Sequence, residues 1–162
     1  MKVIFLDVDG VLNCTKTERQ IHKMRFVDTR KMLRVREICE RTGAKVVISS
    51  SWRDGALADA NPWDKHMWKA LIDEFDRHRI PVIGMTPFAP DRWRGDEISA
   101  WFKMQEERIE NFVIVDDIVC DLTMFEAVGR VVQTVDAWGL TKANMEECIK
   151  ILGEAQCRNG PP

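Results

Sequence analysis

The chain predicts an α/β fold in which helices cover both faces of a mainly parallel five-stranded sheet, a three-layer sandwich. Three observations predict it. Short unbroken apolar runs such as Val3-Ile4-Phe5-Leu6 and Phe112-Val113-Ile114-Val115 read as strands buried on both faces. Segments with apolar residues at helical spacing alternate with them, the pattern of parallel strands joined by crossovers. Finally, the runs end abruptly in Asp or Ser, as at Asp7-Val8-Asp9-Gly10, Ser49-Ser50-Ser51 and Asp116-Asp117, so chemistry-bearing side chains stand where strands leave the core.

The elements follow in order. Residues 2–6 form the first strand, and Gly10 permits the turn after it. Residues 11–25 show no clear period and read as a flap. Residues 26–41 form a helix whose apolar face is Met32, Leu33, Val35, Ile38 and Cys39, stopped by Gly43. The second strand, 45–48, runs into the serines. A helix at 64–78 places Met67, Leu71, Ile72 and Phe75 on one side, and a short strand at 80–83 follows. Pro87 and Pro90 mark a loop. Gly95-Asp96-Glu97 opens the next helix with acids at its positive end, its face continuing through Ile98, Trp101 and Phe102 to Ile109. Strands at 112–115 and 131–135 come next in direct succession. Thr141 then caps a last helix at 142–152. Residues 1–155 are expected to be a single domain, and 156–162 a frayed tail.

Composition narrows the function classes. At 162 residues, with 45% hydrophobic and 31% charged residues, the chain is an ordinary globular length and mixture. No apolar stretch approaches the ~20 residues that span a bilayer, and the N-terminal run is too short for a signal peptide, so a cytoplasmic protein without a membrane partner is expected. Five cysteines, at 14, 39, 120, 148 and 157, are scattered without a C-x-x-C, which argues for reduced thiols over a disulfide framework or zinc knuckle. A net charge of −2 gives no global nucleic-acid signal. No Walker or dinucleotide-binding glycine pattern occurs.

Asp7 and Asp9 point the same way if the strand geometry persists through Val8, which suits one hard cation or substrate between two carboxylates. In an open parallel sheet, ligands bind outside the carboxyl ends of the strands. Asp7, Asp9, Asp116 and Asp117 would repel one another there unless a cation such as Mg2+ were present. A serine hydroxyl can donate to a phosphate oxygen, and an arginine can neutralise charge on a transferring phosphoryl group.

The chain thus resembles the haloacid dehalogenase (HAD) superfamily, whose ordered motifs are Asp-x-Asp, Ser/Thr, Lys/Arg and paired acids. They match Asp7-Val8-Asp9-Gly10-Val11-Leu12, Val46-Val47-Ile48-Ser49, Arg94 and Ile114-Val115-Asp116-Asp117. The resemblance implies a Rossmann-like sandwich, with Asp7 as the nucleophile forming an aspartyl-phosphate and Asp9 as the acid and base. It also implies that Mg2+ is held by the Asp7 carboxylate, the Asp9 backbone carbonyl and one acid of the pair, with Asp117 favoured over Asp116. Ser49 is favoured among the three serines because it follows the apolar run directly. Ser50, Gly10 and Arg53 are candidate substrate contacts, and Arg94, Arg92 or Arg53 is the candidate phosphate-neutralising group. A receiver domain, the other Mg2+-binding parallel sheet, would carry its acidic pair on the first strand, the reverse of this order.

The insertions in which the superfamily carries cap domains are short here, so a minimal cap or none is expected, leaving an open site suited to a bulky or polymeric substrate. With Ser-Ser-Ser-Trp-Arg, Arg-Gly-Asp-Glu-Ile, Val-Asp-Asp and Gly-Leu-Thr, the pattern looks like the small HAD phosphatase domains of RNA repair, similar in outline to the phosphatase half of polynucleotide kinase 3′-phosphatase. The implied activity is a Mg2+-dependent phosphomonoesterase on a nucleic-acid 3′-phosphate end, RNA or DNA, or on a nucleotide. The alternatives are a phosphoprotein phosphatase and a non-catalytic phosphate- or RNA-binding module. Lys16, Arg19, His22, Lys23 and Arg25 make the flap basic, and Trp52 or Trp93 could stack on a base. Oligomeric state is not legible in the sequence.

Overall fold

The structure is a computed structural model that describes residues 1–154; the tail at 156–162 lies outside the described residues. Its centre is a five-stranded sheet of β1 (Lys2–Leu6), β4 (Lys45–Ile48), β5 (Val82–Met85), β6 (Asn111–Asp116) and β7 (Val131–Gln133), in the order β5-β4-β1-β6-β7. Every neighbouring pair in it is parallel. The chain steps outward from β1 through β4 to β5, then returns to lay β6 on the other side of β1. The order therefore reverses between β1 and β6, the switch point at whose carboxyl edge sheets of this kind bind ligands.

Alternation along the strands assigns the layers. Ile4, Leu6, Val46, Ile48, Val113 and Val115 face α1 (Thr29–Thr42), α2 (Pro62–Arg77) and α5 (Lys142–Gly153), meeting Met32, Val35, Ile38, Leu71, Phe75 and Cys148. Val3, Phe5, Val47, Phe112 and Ile114 face α3 (Arg94–Lys103) and the short α4 (Thr123–Glu126). There Phe5 lies edge-on to Trp101 at 5.1 Å and to Phe102 at 5.3 Å, so Trp101 belongs to the core.

The local signals act as the chain chemistry dictates. Asp28 caps α1 by accepting from the Arg30 N–H at 2.7 Å, and Gly43 ends it at φ 72°. Thr141 and Asn144 form a reciprocal capping box on α5. Several boundaries differ from the sequence expectation. The third strand starts at Val82 because the Ile80 N–H still closes onto Phe75 O at 3.0 Å and Pro81 has no N–H to give a ladder. Leu33 is 48% exposed, and the stem of Lys31 takes the inward position on α1 instead. Helix α3 ends at Lys103, so Ile109 packs on the second core from the following loop. The last strand stops at Gln133 and leaves Val135 exposed. Between β6 and β7 the chain forms α4, which lets these consecutive strands run parallel.

The expected flap contains a hairpin of β2 (Gln20–Ile21) and β3 (Met24–Arg25). His22 (φ 47°) and Lys23 (φ 71°) form its two-residue turn, both in the left-handed region that such tight turns demand. The Arg19–Glu74 ion pair at 2.7 Å ties the hairpin to α2. Among the described residues, Cys14, Cys39, Cys120 and Cys148 are free thiols, and no helix is long and apolar enough to cross a membrane.

Candidate active site

Each strand-exit residue extends the sheet ladder by one bond to a neighbouring strand, which holds the exits in line. Asp7 N–H donates to Val115 O at 3.0 Å, Ser49 N–H to Leu6 O at 2.9 Å, and Thr134 N–H to Asp116 O at 2.9 Å. The ladder thus carries the three loaded ends, of β1, β4 and β6, to a common level. One carboxylate oxygen from each of Asp7, Asp116 and Asp117 lies within 4.8 Å of the others. Gly10 makes this convergence possible: its φ is 66°, and a Cβ there would overlap the Asp117 carboxylate. Its carbonyl is anchored by the Thr134 hydroxyl at 2.8 Å, a contact without a sequence signature.

Arg94, the first residue of α3, reaches into the cluster. Its Nε is 3.1 Å from Asp116 Oδ2, its Nη2 3.6 Å from Asp7 Oδ1, and its Nη1 donates to the Ser49 carbonyl. The helix start is fixed by the Arg94 N–H donating to Asp121 at 2.6 Å. Three acids facing one guanidinium leave excess negative charge in a dry place. Burial pushes Asp7 up to about 6, opposed chiefly by Arg94, and pushes Asp116 up to about 8 with further help from the Asp7 charge. Asp117, half-buried, is raised by burial as well. A divalent cation fits this donor set: it is all oxygen, it converges, and burial without enough positive charge raises all three of its acids.

The Asp9 carboxylate turns away from the cluster into solvent. The Asn13 amide donates to Oδ1 at 2.7 Å and the Trp52 indole N–H to Oδ2 at 2.8 Å, so both oxygens are pinned. Asn13 also accepts the Gly10 N–H at 3.1 Å, coupling the turn to the acid. Asn13 was not among the expected site residues, although its place three residues after the Asp-x-Asp-Gly turn could have flagged it. Ser49 and Ser50 are both buried. The Ser49 hydroxyl has no hydrogen-bond partner, an orphaned donor beside the acids that a ligand oxygen would satisfy. Ser50 caps the 3₁₀ turn Ser51–Ala56 and lies against Asp7.

The other arginines lie apart. Arg53 is 2% exposed, ion-paired to the buried Glu97 and bonded to Ser50 O at 2.6 Å, with Phe88 packed on its guanidinium. Arg92 is a surface residue that grips Asp54 at 2.6 Å. Of the three candidates, Arg94 is the one the structure brings to the acids. The basic flap is partly spent internally: Arg25 pairs with Asp136, and Lys16 lies 3.3 Å over the Trp138 ring.

A wholly parallel α/β sheet with Asp7-x-Asp9 at the central strand, a serine and an arginine beside it, and paired acids across the switch point defines a HAD-type domain. The family described as the HAD domain in Swiss Army Knife RNA repair proteins matches residues 3–145. The chain belongs to that family. Comparison with curated proteins finds no match.

Proposed function

We propose that this domain is a Mg2+-dependent phosphomonoesterase acting through an aspartyl-phosphate on Asp7, with a nucleic-acid 3′-phosphate end or a nucleotide as substrate. The observation that carries the reading is the convergence of Asp7, Asp116 and Asp117 around Arg94, next to an unpartnered serine hydroxyl. Asp7 and Asp117 would hold Mg2+, while Asp116, fixed by the Ile118 N–H at 3.0 Å, orients Arg94. The ion supplies charge shielding between the Asp7 carboxylate and the phosphate dianion.

Asp7 attacks phosphorus and forms the acyl phosphate as the ester P–O bond breaks. Arg94 and the Ser49 hydroxyl stabilise the charge on the equatorial oxygens. Asp9 gives the leaving oxygen its proton, then takes one from the water that attacks the acyl phosphate, releasing inorganic phosphate and regenerating Asp7. The Trp52 and Asn13 contacts keep Asp9 on station, out of the acidic cluster.

Membership in an RNA-repair family supports a nucleic-acid substrate over a phosphoprotein. Side-by-side turnover of a 3′-phosphorylated oligonucleotide and a phosphoserine peptide, with Mg2+ and with EDTA, tests both metal and substrate. The expected outcome is Mg2+-dependent release from the oligonucleotide, lost in Asp7→Asn by a factor of about 10³ or more. Preferential release from the peptide would favour the phosphoprotein phosphatase. Tight RNA binding without hydrolysis under any metal would favour a non-catalytic module.

A further inference from the structure

Next to Asp9, on the α2 side of the sheet edge, is a pocket of about 290 Å³ whose lining includes Asp9, Met24, Trp52, Asp54, Trp63, Asp64 and Met67. That volume is at the lower end of small-molecule sites, about 300–1,000 Å³, and suits one ring system. Beside Asp9, three separate segments build it: the hairpin gives Met24, the 3₁₀ turn gives Trp52 and Asp54, and α2 gives Trp63 and Met67. Trp52 is held in orientation because its N–H is committed to Asp9 at 2.8 Å, and its ring lies 5.9 Å from that of Phe26. Trp63 is braced by His22 at the hairpin tip, 5.3 Å between ring centres, and Arg19–Glu74 clips the same hairpin to α2. Met67 belongs to the core beneath, but Trp63 is only half-buried and Met24 is exposed, so the outer wall of the pocket is an aromatic and thioether surface open to a ligand.

Charge decides what fits. No lysine or arginine lines the pocket, and its charged groups are Asp9, Asp54 and Asp64. Asp54 is already matched by Arg92, and Asp64 accepts from Asn61. Such a wall repels a second phosphate and accepts a flat neutral ring bearing N–H donors. We infer that the pocket takes the nucleobase of the nucleoside whose phosphate Asp7 attacks, the base packing against Trp52 and Trp63 while its phosphate lies at Arg94. The inference rests on the phosphatase reading for where the phosphate sits. The hairpin is then the cap of this domain, closing over a base and leaving the rest of a polymer outside.

The test separates the two readings by measuring binding without chemistry. Adenosine, guanosine, cytidine and uridine, none with a phosphate, are titrated into the full chain and tryptophan fluorescence is followed, with ribose and inorganic phosphate as controls. Saturable quenching by nucleosides and none by ribose is expected, retained in Asp7→Asn, which abolishes phosphate release. Trp63→Ala should weaken nucleoside binding about 10-fold or more. Met24→Ala, at an exposed position that the fold does not need, should weaken it to a smaller extent. Phosphate release without saturable nucleoside quenching, or quenching unchanged in both variants, overturns the pocket. Nucleoside binding without phosphate release overturns the phosphatase reading and leaves the pocket standing.

Discussion

At the scale of single residues, the site depends on a few atoms with no room to move. Gly10→Ala places a methyl group on the Asp117 carboxylate and a side chain at φ 66°, so it should cost at least about 10²-fold in phosphate release while the domain stays folded. Steady-state kinetics with a thermal melt as control checks this. The acids also make a sign-definite prediction about pH. Burial lifts Asp7 to about 6 and Asp116 to about 8, so between about pH 4 and about pH 8 the folded chain keeps protons that the unfolded chain has released. The metal-free protein should therefore lose stability as pH rises through that window. Melting in EDTA at about pH 5 and about pH 9 should show a lower midpoint at the higher pH, with a smaller difference in Asp116→Asn. A midpoint that rose with pH would contradict the burial of these acids. Asp7, Asp9, Gly10, Ser49, Asp116 and Asp117 were legible as candidates because their types, order and strand exits are sequence features, whereas Arg94 stood among three arginines that only the fold tells apart. The commitment of Arg53 to Glu97 was not, because its partner lies 44 positions along the chain and only the packing of the 3₁₀ turn on α3 brings them together.

At the scale of elements, that same pair fastens the serine-bearing 3₁₀ turn to the helix carrying Arg94. Arg53 and Glu97 are both 2% exposed, so removing one charge strands the other in a dry interior. Glu97→Gln should destabilise the domain by about 3 kcal/mol in denaturant unfolding and, by loosening α3, lower activity as well. A loss below about 1 kcal/mol would mean that the guanidinium finds water. Strands β1 and β4 and the cap of α5 could be placed to the residue, since their apolar runs end in unmistakable polar or capping residues. The third strand slipped by two residues because Ile80 is apolar whether it closes a helix or opens a strand, and only its bond to Phe75 O decides. The hairpin escaped because His22-Lys23 is not a glycine or asparagine turn signal. The short α4 escaped because four residues show no helical period.

At the scale of the molecule, the parallel sheet brings the ends of β1, β4 and β6 to one level, and sequence order alone could place them only by topology rules. The helices pack on the two faces of the sheet, and the first insertion supplies only a short hairpin, whose Met24 shares a pocket wall with Asp9. An open edge should admit a polymer. The kcat/KM for a single-stranded 3′-phosphorylated oligonucleotide is therefore expected to equal or exceed that for a nucleoside 3′-monophosphate, measured by phosphate release. A fall of more than about 10-fold with chain length would mean that the edge is closed in solution.

The central claim is that Asp7 becomes phosphorylated. Its most direct test is intact-mass and peptide analysis of Asp9→Asn, acid-quenched during turnover of a phosphomonoester whose leaving group needs no proton. The first step then proceeds while hydrolysis of the acyl phosphate lacks its base. The account predicts a mass increase of one phosphoryl group, mapped to the peptide containing Asp7 and absent in Asp7→Asn. Undiminished phosphate release by Asp7→Asn, with no adduct on any peptide, would contradict it.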